Sequence, residues 1–376
     1  MTECDFLIIG GGMGGASCAY WLSREHRVIV LEMEDQPGYH STGRSAAVYT
    51  EAYGPRAVRA LAKSSGDFFR HPPQGFAPGP LAEQHGLVCI AREDQKPALY
   101  EALAAVQDLS PEIHEIDVGE AIERVPVLRR GYLAAAFLDP STLFLDVNAI
   151  HHGYLRGLRA NGGDIVTRAE ATRIKRKADR WRVTTPAGEF VAPVIINAAG
   201  AWADVVAERA GARSIALQPK RRTVIAFAPP GNVDHRDWPL TFDTDEQFYF
   251  KLDAGTVLAS PADETPVPPQ DAQPDELDIA ITVDRIERAT IMKVARIIRS
   301  WAGLRSFVRD DVPVVGYAPD TAGFFWCAGQ GGYGILTSNG MGRCSAALAA
   351  GDALPADVQA LGVNAVDLAP QRLWDT

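Results

Sequence analysis

The chain has 376 residues, with 37 Lys and Arg against 47 Asp and Glu, a formal net charge of -10 at pH 7. Its longest basic run is Lys220-Arg221-Arg222, which gives no electrostatic footprint for a phosphate backbone, so nucleic acid is not an expected partner. With 47% hydrophobic and 22% charged residues it reads as an ordinary folded protein rather than a disordered or fibrous one, long enough for two lobes.

The first element is a short apolar run at residues 4–9 (CDFLII), read as a buried parallel strand. Residues 6–23 carry no formal charge, a length that would suit a membrane span or signal peptide. Acidic Glu3 and Asp5 precede the run, however, and Gly10, Gly11, Gly12, Gly14 and Gly15 fill its middle. The expected location is therefore the cytoplasm, with peripheral contact to the inner membrane left open. The glycines fit G-x-G-x-x-G, residues 16–23 continue as a helix, residues 27–31 (RVIVL) form a second buried strand, and Glu32 stands at its end. Strand, glycine turn, helix, strand and terminal acid within about 30 residues make a dinucleotide fingerprint. Gly10 permits the tight turn, Gly12 admits a pyrophosphate to the backbone, and Gly15 lets the helix pack closely. Glu32 would accept hydrogen bonds from an adenosine ribose and repel a 2'-phosphate, which disfavours NADP.

Residues 36–47 (QPGYHSTGRSAA) form a hydroxyl-rich loop where a simple NAD enzyme would start another helix. Such a loop can lie along an extended FAD, with Ser41, Thr42 and Ser45 as donors. Residues 71–80 are a Pro/Gly-rich connector. Helical spacing returns at 146–161, ended by Gly162-Gly163. Residues 164–175 and 180–185 read as strands, and 189–196 as another leading into the small residues 197–202 (NAAGAW). Strands are expected at 216–227, 247–251 and 256–259, an exposed acidic, proline-rich loop at 261–276, and helical spacing over 278–300. A last small-residue turn at 329–334 (GQGGYG) precedes a helical stretch at 335–348, whose N-terminus could face the pyrimidine end of a reduced flavin. The five cysteines and eight histidines are dispersed, so the cysteines read as free thiols and no metal is expected.

The segments GGGMGG with Glu32, YHSTGRSAA, NAAGAWAD, LQPKRR, WAGLRSF and GQGGYGI together resemble the D-amino-acid oxidase superfamily of FAD-dependent oxidoreductases, with most likeness to its bacterial D-arginine dehydrogenases. The resemblance implies an α/β fold: a Rossmann-like FAD-binding domain plus an antiparallel-sheet substrate domain. It assigns 1–80, 140–214 and 305–376 to the first and 81–139 and 215–304 to the second. It implies non-covalent FAD and oxidation of a D-amino acid to its 2-keto acid by hydride transfer from the alpha carbon to flavin N5. A quinone-type or other acceptor would reoxidise the flavin. The substrate carboxylate would be held by Arg222, Arg305, Tyr53 and Tyr249, with Thr50 and the Gly332 backbone as further contacts. Arginine suits this task through its planar, bidentate fork. Ala46, Ala47, Ala171, Gly331, Tyr333, Gly334 and Ile335 join the glycine turn as cofactor contacts.

The departures bear on the substrate. An acid that meets a guanidinium in the arginine-oxidising relatives falls at Gly86 here, with Glu83 nearby. Val48 and Leu336 replace polar residues, and Phe242 replaces a smaller apolar one. A buried guanidinium without a partner would cost roughly 3 to 5 kcal/mol, so a neutral or apolar D-amino acid is expected over arginine. Oxidation of a secondary amine, such as an N-substituted amino acid, or of a 2-hydroxy acid stays open on the same scaffold. So does a non-catalytic protein that keeps the cofactor fold.

Overall fold

The computed structural model describes residues 1–231 and 237–374. One layer is a six-stranded sheet in the order Asp164–Val166, Val28–Leu31, Phe6–Ile9, Val194–Asn197, Phe324–Ala328, Val314–Tyr317. The first five strands are parallel and the last is antiparallel. Alternate residues of Phe6–Ile9 enter two different cores, Ile8 on one face with Tyr154 and Met341, Leu7 and Ile9 on the other with Trp181 and Phe324. Burial on both faces is why the strand reads as an unbroken apolar run. Helices Met13–Leu22, Val147–Ala160 and Ser338–Ala350 cover the first face. A small sheet of Thr2–Glu3, Gly188–Ala192, Arg180–Thr185 and Arg173–Lys177 covers the second.

The second large sheet has nine strands, running from Thr265–Pro266 through Gln218–Phe227, Thr256–Ser260, Tyr249–Asp253, Leu240–Asp243, Leu87–Ala91 and Ala135–Asp139 to His114–Ile116. Ile297–Phe307 also pairs with Gln218–Phe227, antiparallel. All neighbours are antiparallel except Leu240–Asp243 beside Leu87–Ala91. The expected α/β class with a largely antiparallel second sheet is present.

Three sequence expectations are corrected. Residues 164–175 are two strands, Asp164–Val166 and Arg173–Lys177, in different sheets, separated by a bend in which Arg168 takes φ 52. Residues 189–196 likewise split into Gly188–Ala192 and Val194–Asn197. Pro193 stands between them, and without an N–H it cannot extend a ladder. The helical spacing at 278–300 holds only for Glu276–Ala289, because Ile297 onward pairs edge to edge with Gln218–Phe227 and becomes strand. The expected loop at 261–276 is mostly exposed, but it contains the short strand Thr265–Pro266 and the buried Ala272. The five cysteines are buried and free. Among the described residues no group of three His, Cys, Asp or Glu could hold a metal, and no helix is long and apolar enough to cross a membrane.

The turn after Phe6–Ile9 is built on bare backbone. Gly10 has φ 110, and a Cβ there would sit 2.3 Å from the Ala198 carbonyl oxygen. A Cβ on Gly15 would sit 1.9 Å from the Gly10 carbonyl oxygen. Gly15→Ala must therefore push the helix off the strand, and we expect a loss of at least about 1 to 3 kcal/mol. Urea unfolding of the purified variant measures it.

Candidate functional site

One continuous cleft joins the two large sheets, and its wall runs from Gly10, Glu32 and Ala171 at one end to Arg222, Tyr249 and Arg305 at the other. At the first end Glu32 is only 7% exposed. Its Oε2 accepts the Gly11 N–H at 2.8 Å and its Oε1 the Glu34 N–H at 2.9 Å. Burial pushes its pKa up, and the two backbone donors oppose that shift. Glu32 thus braces the glycine turn as well as facing the cleft. Thr42 Oγ1 accepts the Met13 N–H at 3.0 Å at the start of the first helix. Ser41 donates to the Leu304 carbonyl at 2.6 Å, fastening the loop to the second sheet. Ser45 Oγ accepts the Ala47 N–H at 3.1 Å. The three hydroxyls line the cleft, but each also organises its own loop.

His151 was not singled out by the sequence. It stands on the helix Val147–Ala160, 4% exposed, with Nε2 2.8 Å from the Gly11 carbonyl oxygen. Burial lowers its pKa to about 4, with the Gly11 hydrogen bond opposing, so the ring is neutral and donates its Nε2–H to that carbonyl. The partner is 140 residues away, and nothing local in the sequence marks it.

The second end is set by strand register. Arg222 faces Gly303 and Lys220 faces Arg305 in the antiparallel pair of Gln218–Phe227 and Ile297–Phe307. Arg222 and Arg305 are therefore diagonal neighbours on one face. Arg222 is 4% exposed. Its Nε donates to the Asp263 carbonyl at 2.8 Å and its Nη2 to Glu264 Oε1 at 3.0 Å. Its buried Nη1 has no acceptor among the described residues. Arg305 Nη1 donates to the Tyr53 hydroxyl at 3.1 Å. Burial disfavours the Arg305 charge, but Tyr53, Tyr249 and Glu246 outweigh it and push its pKa up. Burial also raises the Tyr53 pKa, against the pull of Arg305, so Tyr53 stays a donor and reaches Glu246 Oε2 at 3.4 Å. Gly332 lies on the guanidinium, since a Cβ there would be 2.9 Å from Arg305 Cζ.

Of the sequence-chosen residues, Gly10, Gly12, Gly14, Glu32, Ser41, Thr42, Ser45, Ala46, Ala171, Arg222, Tyr249, Arg305, Gly331, Gly332, Gly334 and Ile335 line the cleft. Gly15 packs behind it against Gly10, as its spacing implies. Tyr53 and Tyr333 stand next to each other behind the wall, ring centroids 5.2 Å apart. Ala47, at φ 57, gives its carbonyl to the Leu145 N–H and lies off the wall. Thr50 is also off the wall, its hydroxyl donating to Asp139 Oδ2 at 2.7 Å. Glu83 is 77% exposed and faces His85 at 3.7 Å, so it does not turn inward. Gly86 is a turn residue at φ 79. Glu246, at φ 53 in the turn between Leu240–Asp243 and Tyr249–Asp253, is a carboxylate of this region that the sequence reading missed.

A five-stranded parallel core with its glycine turn and terminal acid, opening on a cleft shared with an antiparallel sheet, defines a dinucleotide-dependent oxidoreductase. The chain belongs to the FAD dependent oxidoreductase (DAO) family, whose model matches residues 5–348, and FAD is its cofactor. Glycine oxidase of Geobacillus kaustophilus is 25% identical over 98% of this chain and 96% of its own length. Dimethylglycine dehydrogenase of Mus musculus is 24% identical over 91% of this chain, which spans only 42% of that longer protein. The solved L-proline dehydrogenase of P. horikoshii superposes with a TM-score of 0.87 at 20% identity, covering 99% of this chain and 98% of that one, which shows the shared fold. The likeness to D-arginine dehydrogenases is thus corrected to the family as a whole, because these relatives carry other names.

The residues fit FAD. The side-chain-free turn at Gly10 and Gly12 leaves room for a pyrophosphate, and Glu32 lies on the cleft wall at the strand end where such a fingerprint would hold a ribose. His151 makes this turn pH-sensitive. Its folded pKa of about 4 lies below the unfolded value of about 6.5, so below that value only the unfolded chain takes up the proton. Stability should fall by on the order of 3 kcal/mol as pH drops from about 6.5 to about 4. His151→Gln keeps an N–H donor without the titration and should remove this loss. Urea midpoints between pH 7 and 4.5 test it, and parallel profiles for the two proteins would contradict it.

Proposed function

We propose that the protein oxidises the carbon–nitrogen bond of a carboxylate-bearing amine, with a neutral or apolar D-amino acid as its substrate. The observation that carries this reading is Arg222 Nη1, a buried guanidinium N–H on the cleft wall without an acceptor among the described residues. An unmatched charged donor in that setting costs about 1 to 3 kcal/mol or more, and a substrate carboxylate placed between Arg222 and Arg305 supplies the missing acceptor. The Tyr53 hydroxyl, which meets Arg305 Nη1 at 3.1 Å, and Tyr249 on the cleft wall stand beside it.

The apolar backing of the proposed side-chain site comes from the same sheet, through a cluster that reaches the cleft wall at Tyr249 and Ala46. Tyr249, Phe242, Cys89 and Phe137 face one another across successive strands, and Val48, Ala46 and Ala52 pack against this apolar cluster. With Glu83 exposed and Gly86 carrying no side chain, the loop that would meet a guanidinium offers none. Glu246 lies beside Arg305 at the carboxylate end, engaged by Tyr53.

FAD, when bound, accepts the hydride released from the carbon that carries nitrogen. The chain's own residues hold the carboxylate, present one face of that carbon and exclude water with the apolar wall. Loss of the hydride and of one N–H proton leaves an imine, which water hydrolyses to a 2-keto acid and ammonia. A quinone-type or other acceptor would take up the electrons. In this reading 1–80, 140–214 and 305–376 form the FAD-binding domain and 81–139 with 215–304 the substrate domain.

A second reading, oxidation of an N-substituted amino acid, is favoured by the match to dimethylglycine dehydrogenase. The carboxylate clamp would be the same, and only the groups on nitrogen would differ. Anaerobic bleaching of the flavin band by a panel separates the two. D-Leu, D-Met and D-Phe outrunning N-methylglycine and dimethylglycine supports the first, and the reverse order supports the second. D-Arg or D-Lys ahead of all others by tenfold would overturn the apolar-pocket argument. In the same assay Arg305→Met should weaken substrate binding by about 2 to 5 kcal/mol while retaining FAD. Wild-type affinity in that variant would remove Arg305 from the clamp.

A further inference from the structure

We propose that Thr50 and Asp139 are positioning residues that hold Tyr53 against Arg305, so that carboxylate affinity at the arginine pair depends on a hydroxyl that never touches the ligand. This rests on the clamp reading above. Thr50 is 4% exposed, and its hydroxyl is used twice. It donates to Asp139 Oδ2 at 2.7 Å and accepts the Ala52 N–H at 3.0 Å. Asp139, at the end of the strand Ala135–Asp139, is fully buried. Its carboxylate also accepts from Thr142 Oγ1 at 2.8 Å and from the N–H and hydroxyl of Ser141 at 2.8 and 2.6 Å. A carboxylate so satisfied is a rigid anchor, because each donor that leaves it exposes a buried charge. Thr50 ties the chain to this anchor and, through Ala52, closes the turn that leads to Tyr53.

A second buried carboxylate fixes the next residue. Glu51 Oε1 accepts from the Tyr49 hydroxyl at 2.7 Å, and Oε2 from Lys63 Nζ at 2.8 Å and Ser110 Oγ at 2.5 Å. Residues 49–51 are thereby held on two sides, and Tyr53 follows two residues later. Its ring packs edge-on between Tyr333 at 5.2 Å and Phe242 at 6.0 Å, and its hydroxyl meets Arg305 Nη1. With the anchors in place only a narrow range of Tyr53 positions remains, and that range includes the Arg305 contact. The resemblance assigned Thr50 a direct substrate contact; the geometry assigns it this indirect one.

Spectral titration of the FAD-loaded protein with benzoate, a simple carboxylate, tests the inference without requiring turnover. Tyr53→Phe should weaken benzoate about fivefold to tenfold, the scale of one hydrogen bond. Thr50→Val should weaken it by a similar factor, the double variant should bind no more weakly than either single one, and Thr50→Ser, which keeps the hydroxyl, should recover wild-type affinity. Thr50→Val with wild-type affinity, effects that multiply in the double variant, or Tyr53→Phe without effect would each overturn it. Failure of the clamp reading looks different: a wild-type spectrum indifferent to benzoate, or undiminished affinity in Arg305→Met. A lowered melting temperature in Thr50→Val is expected of any buried anchor, so affinity decides.

Discussion

Backbone packed directly on backbone, at the point where Phe6–Ile9 turns into the first helix, is the constraint from which the cofactor side follows. Gly10 approaches Ala198 and Gly15 approaches Gly10 with no room for a Cβ, so the strands Phe6–Ile9 and Val194–Asn197 and the first helix meet closer than side chains would permit. Two parts of the six-stranded layer, widely separated in sequence, share this one junction. Turn geometry of this kind leaves backbone groups that need partners. Glu32, Thr42 and His151 supply them, from the second strand, the following loop and a helix 140 residues away. The anion site is therefore a property of the whole layer rather than of a glycine motif alone.

On the other side of the cleft the governing fact is register. Two arginines on adjacent antiparallel strands, offset by one diagonal step, bring like charges together, which a protein tolerates only with counter-ions. Glu264 answers Arg222 and Lys220. Burial opposes the Glu264 charge, yet those two cations hold its pKa below the usual glutamate value. Tyr53, with Glu246 behind it, answers Arg305. The balance is incomplete at Arg222 Nη1, the donor that the proposed substrate carboxylate would satisfy. A one-residue slip of Ile297–Phe307 would turn Arg305 to the opposite face, so the site depends on the full length of that pairing.

The sequence carried the local parts of this arrangement well. The glycine spacing, the acid at the strand end and the hydroxyl-rich loop are all contiguous signals, and the structure places them on one wall. Arg222, Arg305, Tyr53 and Tyr249 came from resemblance, because nothing in KRR or QFYFK says which side chain turns inward. The strands at 164–175 and 189–196 were misread as single because apolar alternation continues across a break, and only the change of sheet reveals it. His151, Glu246 and Asp139 were missed for a common reason. Each acts through a partner far along the chain, and a lone His, Glu or Asp is indistinguishable from a solvated one until the fold brings that partner near.

Thr50 and Tyr53 stand in one short loop and both are expected at the substrate, yet their hydroxyls take different partners. The structure commits the threonine hydroxyl to Asp139 and leaves the tyrosine to reach Arg305. The acidic balance of the chain is consistent with this division. A net charge of -10 repels anions at long range, but over distances beyond about 8 Å at physiological salt that field is screened. On the proposed reading, selection for a small carboxylate would therefore rest on the few groups within contact of it, and their placement on the buried carboxylates Glu51 and Asp139.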